Sequence, residues 1–263
     1  MNRDRIVIKV GTSTLTNELG NSNLRTMEKL AMVLSDIQNM GHEVILVSSG
    51  AIAVGANKMH MKEKPTDMRM KQAAAAVGQC TNMFLYDKFF GYYDKMVGQI
   101  LLNAEDITQE EKKENLSNTF SALLEQGVIP IVNENDSVSY TEIESEERLF
   151  SDNDVLSAVV AVLCQADKLV ILSDIDGFYD KDPRLFKDAR LIEQIDMIDD
   201  AVYKLAGGAG SRRGTGGMRT KLKAADLATA QGIDTIVTNG KDPEILYKVV
   251  SGESCGTLFK GRR

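Results

Sequence analysis

The sequence predicts an α/β layered fold around a mainly parallel sheet, on three observations. Short apolar, β-branched runs recur along the chain, each leading into a turn of Gly, Ser, Asn or Asp and then a helical pattern. The runs are mostly continuous rather than alternating, as in strands buried on both faces of a parallel sheet. Strand and helix alternate throughout, and right-handed crossovers assemble that alternation into layers.

The expected strands are residues 6–10, 44–47, 99–102, 128–132, 169–172 and 235–237. Between the first two, Leu24, Met27, Leu30, Leu34, Ile37 and Met40 fall three and four apart, the spacing of one helix face. Gly41 stops that helix, and Asn21, Ser22 and Asn23 offer caps before it. Residues 66–90 carry four consecutive alanines and an aromatic-rich end, which predicts a long helix. Residues 154–163 and 218–230 read as helices of ordinary length.

A chain of 263 residues buries a large core, and 43% hydrophobic with 26% charged residues is an ordinary globular balance. We expect one domain, 1–263, with a soft internal boundary near residue 165. The net charge of −7 argues against a nucleic-acid partner or an anionic membrane surface, both of which call for a basic face. It leaves room for an anionic small molecule held by a few placed lysines. Cys80, Cys164 and Cys255 are dispersed without CxxC spacing and read as reduced thiols, Cys164 within the core. Two histidines, His42 and His60, exclude a His-rich metal site, and both read as surface residues. Without a signal-peptide pattern or a bilayer-length apolar stretch, the expected location is cytoplasmic.

In layered α/β folds ligands sit beyond the carboxyl ends of the strands, so the turns there are the candidate site. Lys9-Val10-Gly11-Thr12-Ser13 places a lysine inside a strand. It is either an edge-strand lysine reaching solvent or a buried cation that needs a negative partner. Ser48-Ser49-Gly50-Ala51 either caps a helix or presents backbone N–H groups to an anion. Asn133-Glu134-Asn135-Asp136 has more polar groups than a turn needs and suits a substrate ammonium through Glu134 or Asp136. In Ser151-Asp152-Asn153-Asp154 one residue caps a helix, and the paired aspartates suggest a cation or lysines nearby. Ser173-Asp174-Ile175-Asp176-Gly177 follows the fifth strand. The glycine-rich stretch 207–217 leads into Met218-Arg219-Thr220-Lys221 and sets a lysine in the first turn of a helix, where a phosphate is favoured. It is neither a Walker A nor a Rossmann pattern.

Five of these turns, all but the one after the fifth strand, resemble in their order and across essentially the whole chain those of the amino acid kinase family. The resemblance implies a three-layer αβα sandwich with a mainly parallel central sheet. An amino-acid-binding half would span about 1–165 and a nucleotide-binding half about 166–263. It implies transfer of the γ-phosphoryl of ATP, with Mg²⁺, to the side-chain carboxylate of L-glutamate. The γ-glutamyl phosphate formed would be the first intermediate of proline biosynthesis, consumed by a glutamyl-phosphate reductase, with proline as inhibitor and a dimer or tetramer as assembly. The implied catalytic residues are Lys9, Lys221 and Asp154, with Asp154 orienting the lysines. Nucleotide contacts are implied for Lys9, Gly11, Ser173, Asp174, Thr215, Gly216, Gly217, Met218, Arg219, Thr220 and Lys221. Substrate contacts are implied for Ser49, Gly50, Asn135, Asp136 and Asn153, and no side chain is assigned as a metal ligand. Other members of the family act on aspartate, N-acetylglutamate, carbamate or UMP, and a non-catalytic sensor on the same fold is the other alternative.

Two departures from the family accompany these expectations. The C-terminal PUA domain of many members is not expected here, and Ser151 stands where glycine is usual. The acidic segment 137–150, with Glu142, Glu144, Glu146 and Glu147, borders the expected substrate and proline pocket. A carboxylate acceptor is already ionised at neutral pH, so the chemistry needs cations and amide donors rather than a general base.

Overall fold

The computed structural model describes residues 3–17, 20–138, 153–206 and 217–262. Ser151, Asp152, Thr215, Gly216 and most of the acidic and glycine-rich segments lie outside these residues. The chain runs β1 (Arg5–Val10), α1 (Thr12–Leu15), α2 (Leu24–Asn39), β2 (Glu43–Val47), α3 (Ala51–Lys58), α4 (Met68–Gly91) and β3 (Val97–Leu102). It continues through α5 (Ala104–Thr108), α6 (Glu110–Glu125), β4 (Ile129–Glu134), α7 (Asn153–Leu163), β5 (Lys168–Ser173) and β6 (Gln194–Ile195). The last elements are α8 (Asp200–Ala206), α9 (Met218–Thr229), β7 (Asp234–Asn239), α10 (Ile245–Ser251) and β8 (Thr257–Phe259).

The strands form one sheet in the order β3-β4-β2-β1-β5-β7-β8-β6. Each pairing from β3 across to β7 is parallel; β8 then runs antiparallel to β7, and β6 runs alongside β8. All six expected strands are present. The two missing from the sequence reading, β6 and β8, have two and three residues, too few to show a period.

Alternation along each strand sorts side chains onto two layers. Ile6, Ile8 and Val10 of β1 join Val44 and Leu46 of β2 against α2, α4 and α10, where Leu30, Leu34, Phe90 and Leu246 are fully buried or nearly so. Val7 of β1 joins Ile45 and Val47 against α6, α7 and α9, through Phe120, Leu156 and Leu222. The result is the three-layer αβα sandwich. One of the expected caps is made, with Asn23 accepting from the Thr26 N–H at 3.3 Å, and at the start of α4 Asp67 accepts from the Met70 N–H at 3.0 Å. His42 corrects its surface reading. It is 7% exposed, and its Nδ1 accepts from the Asp4 backbone N–H at 3.3 Å. Cys164 is buried as expected.

Helices α3 and α4 touch backbone to backbone. A Cβ on Gly55 would lie 1.7 Å from the Ala74 carbonyl oxygen, and one on Gly78 1.8 Å from that of Ala51. No flexible side chain can give way there. Gly55→Ala and Gly78→Ala are therefore expected to cost about 1–3 kcal/mol or more in urea unfolding. Gly91→Ala, on the same helix with nothing within 4 Å of the new methyl, is expected to leave stability unchanged or raise it.

Candidate active site

Because β1, β2, β4, β5 and β7 run in one direction, the turns after them gather along one edge of the sheet. Lys9 lies in the central strand, paired between Val47 and Ile171, which rules out the edge-strand reading. It shares a face of β1 with Val7, and that face looks towards α7 and α9. Its side chain is 7% exposed. A cation so placed requires a counter-charge.

Asp154 supplies it from the first turn of α7. Its carboxylate is fully buried, with Oδ1 2.6 Å from Lys9 Nζ and Oδ2 3.1 Å from Lys221 Nζ. Lys221 comes from the first turn of α9 and is 6% exposed. The Thr220 hydroxyl also lies 3.0 Å from Asp154 Oδ2, with the Gly217 carbonyl as a second acceptor at 2.8 Å. Two lysines 212 positions apart in the chain thus share one carboxylate. These three charges sum to one positive charge, facing the edge where the turns converge. Burial by itself raises the Asp154 pKa, but the two ammonium groups outweigh it and hold the carboxyl below its ordinary value of 3.8.

A second network joins the turns after β2 and β4 to α7. Asn153 Nδ2 lies 2.8 Å from the Ser48 carbonyl, 2.9 Å from Ser49 Oγ and 3.1 Å from Asn133 Oδ1. Asn133 in turn donates to Gln79 Oε1 at 3.0 Å. Helix α4 presents Gln79, Asn82 and Tyr86 on one face. Asn82 reaches the Ser49 carbonyl at 3.5 Å, and Tyr86 pairs with the Ser48 hydroxyl at 2.8 Å. Burial pushes the Tyr86 phenol well up, against the smaller opposing effect of Ser48. Gly50 begins α3 at φ +87°, a left-handed conformation that suits glycine. Beside this network, Asn135, Asp136 and Ser137 line a cavity of about 470 Å³ with Gln79, Cys80 and Met83.

The other expected contacts spread along the same edge. Gly11 precedes α1, and a Cβ there would stand 3.7 Å from Lys9 Nζ. Ser173, at the end of β5, donates to Asp174 at 3.2 Å, while Asp174 faces Arg184 at 3.6 Å. Gly217 begins α9, Met218 packs on the core and Arg219 is exposed. The reading of residue types missed Gln79, Asn82, Tyr86 and the inward role of Asn133. For the three on α4 a signal was available: polar residues three and four apart, on one face of a helix that carries an alanine run.

This fold and edge define a class, and the chain belongs to the amino acid kinase family, whose pattern matches residues 4–239. It is a kinase, and the relatives narrow the resemblance further. It is 55% identical to the glutamate 5-kinase of Clostridium perfringens over 259 residues, 98% of this chain and 96% of that protein. It is 51% identical to the glutamate 5-kinase of Listeria innocua over 262 residues, covering 100% and 95%. The glutamate 5-kinase of Caldanaerobacter subterraneus is 49% identical over 97% of this chain but is longer, with 67% of it covered. Among solved structures, carbamate kinase from Giardia lamblia bound to AMP-PNP superposes with a TM-score of 0.69 at 15% identity, covering 98% of each chain. UMP kinase from Bacillus anthracis gives 0.66 at 17% identity, over 99% of this chain and 97% of that one. At such identities the structures establish the fold alone. Among the described residues no helix is long and apolar enough to cross a membrane.

A carboxyl whose pKa is lower in the folded than in the unfolded chain stabilises the fold above its ordinary value, and that contribution drains away as pH falls through the folded-state value. Asp154→Asn leaves two buried lysines without their counter-charge and is expected to cost about 3–5 kcal/mol at neutral pH. Urea unfolding should show the gap between variant and wild type closing as pH falls below 3.8.

Proposed function

We propose that this kinase transfers the γ-phosphoryl of ATP to the side-chain carboxylate of L-glutamate, forming γ-glutamyl phosphate. The observation that carries the reading is the convergence of Lys9 and Lys221 on Asp154. Full-length similarity to glutamate 5-kinases supports the choice of acceptor. Both reactants are anions, and the main obstacle to reaction is their repulsion and the charge spread over the transferring group. A glutamate γ-carboxylate oxygen attacks the γ-phosphorus, the bond to the β,γ-bridging oxygen breaks, and ADP leaves with that electron pair. The acceptor is ionised from the start, so no base takes a proton.

In this reading Lys9 and Lys221 flank the transferring group and offset its charge, while Asp154 anchors both ammonium groups. Ser49, Gly50, Asn135, Asp136 and Asn153 hold glutamate within the half spanning about 1–165. Gly11, Ser173, Asp174 and the segment from Thr215 through Lys221 hold ATP, largely within the half from 166 onwards. A dedicated Mg²⁺ cage does not fit the described residues, because no three His, Cys, Asp or Glu side chains converge. The Mg²⁺ of this proposal would be held by phosphate oxygens and water. Proline as inhibitor, a reductase as consumer of the product, a dimer or tetramer and a cytoplasmic setting complete the proposal.

The test is to trap the acyl phosphate with hydroxylamine in the presence of ATP and each of glutamate, aspartate, N-acetylglutamate and carbamate, with ADP release followed alongside and UMP as a further acceptor. Glutamate hydroxamate formed well above the other products is expected, and its absence overturns the reading. Lys221→Met, folded by circular dichroism, is expected to lose turnover by roughly a hundredfold or more, on the scale of a lost oxyanion donor.

A further inference from the structure

The amides behind the acceptor turns form a chain with a fixed sense. The Ser48 backbone carbonyl can only accept, so the atom of Asn153 that meets it at 2.8 Å must be the nitrogen. The same nitrogen lies 3.1 Å from Asn133, whose facing atom is therefore Oδ1. That turns Asn133 Nδ2 towards Gln79 at 3.0 Å, which makes the facing atom there Oε1. One backbone carbonyl thus orients three side-chain amides in succession. What emerges at the far end is a donor: Gln79 Nε2 has no protein partner among the described residues. Gln79 also lines the cavity of about 470 Å³ that holds Asn135 and Asp136.

We propose that Gln79 is a specificity-determining contact of the acceptor site, its Nε2 donating to the α-carboxylate of the amino acid. This rests on the reading of glutamate as acceptor. The reacting γ-carboxylate belongs beside the lysines, next to Asn153 and Asp154. Gln79 lies two amides further along, where the α-carbon end of the substrate falls. Asp136 in the same cavity suits the ammonium, and Gln79 supplies the complementary neutral donor. Because Asn133 holds Oε1, Gln79 cannot turn its oxygen to the cavity without leaving an amide hydrogen of Asn133 unpaired in a buried place. The donor end is therefore held by the fold before substrate arrives.

Gln79→Glu separates this role from mere support of the network. It keeps an acceptor for Asn133, so a purely structural role predicts unchanged kinetics, yet it replaces the donor by a charge that repels a carboxylate. Gln79→Met removes both ends. Steady-state kinetics would be measured for wild type and both variants with L-glutamate and with its α-amide, in which the carboxylate is neutral. For Gln79→Glu, KM for glutamate is expected to rise at least about tenfold, as for loss of a hydrogen bond to a charged group. Turnover and KM for ATP should stay within about twofold, and the preference for glutamate over its α-amide should fall about tenfold. An unchanged glutamate KM in Gln79→Glu overturns the proposal. So does a loss shared equally by both acceptors and by ATP, or failure of both variants to fold, since either marks a structural residue. Wild-type protein that makes no hydroxamate removes the glutamate reading, and this role with it. Active wild type with indifferent variants removes this role alone.

Discussion

Two ammonium groups resting on one buried carboxylate constrain this structure more than any other contact. An isolated lysine in the central strand of a sheet would not stay charged and buried without a partner, and Asp154, fully buried, faces the same difficulty with opposite sign. Each makes the other tolerable, but the arrangement demands that β1, α7 and α9 arrive together. The demand is met by geometry that precedes any charge. Lys9 shares a face of β1 with Val7, which belongs to the layer that α7 and α9 cover. Asp154 and Lys221 each occupy the first turn of their helix, at the end nearest the strand tips. The apolar packing that follows down α7 and α9 sets the height of both side chains at the edge.

The opposite layer is governed by a contact with no charge in it. Gly55 and Gly78 let α3 and α4 meet through backbone atoms, closer than any side chain would allow. That approach brings Gln79, Asn82 and Tyr86 of α4 to the turns after β2 and β4. The polar atoms of Ser48, Ser49 and Asn133 are then paired although nearly buried. One side of the edge is therefore held by ion pairs and the other by amides and hydroxyls. The two sides meet at consecutive residues, Asn153 and Asp154, so the start of α7 serves both networks at once.

Much of this was legible in the sequence, for a physical reason. Strands such as Val44 to Val47 are apolar on both faces, and only a covered parallel sheet has room for them. The lysine opening α9 pointed to a phosphate-sized anion through its placement, while the lysine in β1 stood open between an edge position and a buried cation in need of a partner. What stayed hidden depends on three-dimensional proximity. Nothing in the residue pattern says that Asn133 turns inward to Gln79 rather than outward to a ligand, because an amide is equally fit for either. His42 looked like surface for a related reason: its type is compatible with both, and its pairing with the Asp4 backbone N–H just before β1 is a contact only the fold brings about. The strands β6 and β8 escaped because pairing with neighbours, rather than any period of their own, makes them strands.

In the proposed function, the chemistry would follow from how the two networks divide their work. Asp154 neutralises only part of the charge that Lys9 and Lys221 bring, so the cluster stays attractive to phosphate without leaving either lysine unanchored. Its two oxygens serve one lysine each, so an incoming phosphoryl group meets ammonium groups tethered to a common, immobile point rather than two flexible arms. Such tethering matters because a group already oriented need not reorganise as charge moves from the γ-phosphoryl to the leaving oxygen. The amides themselves carry no charge, and that too is suited to the task. A second cationic cluster there would bind a carboxylate tightly in the ground state and gain little in the transition state, whereas the neutral donors proposed above would select the acceptor and leave the lysines to act on the group in flight.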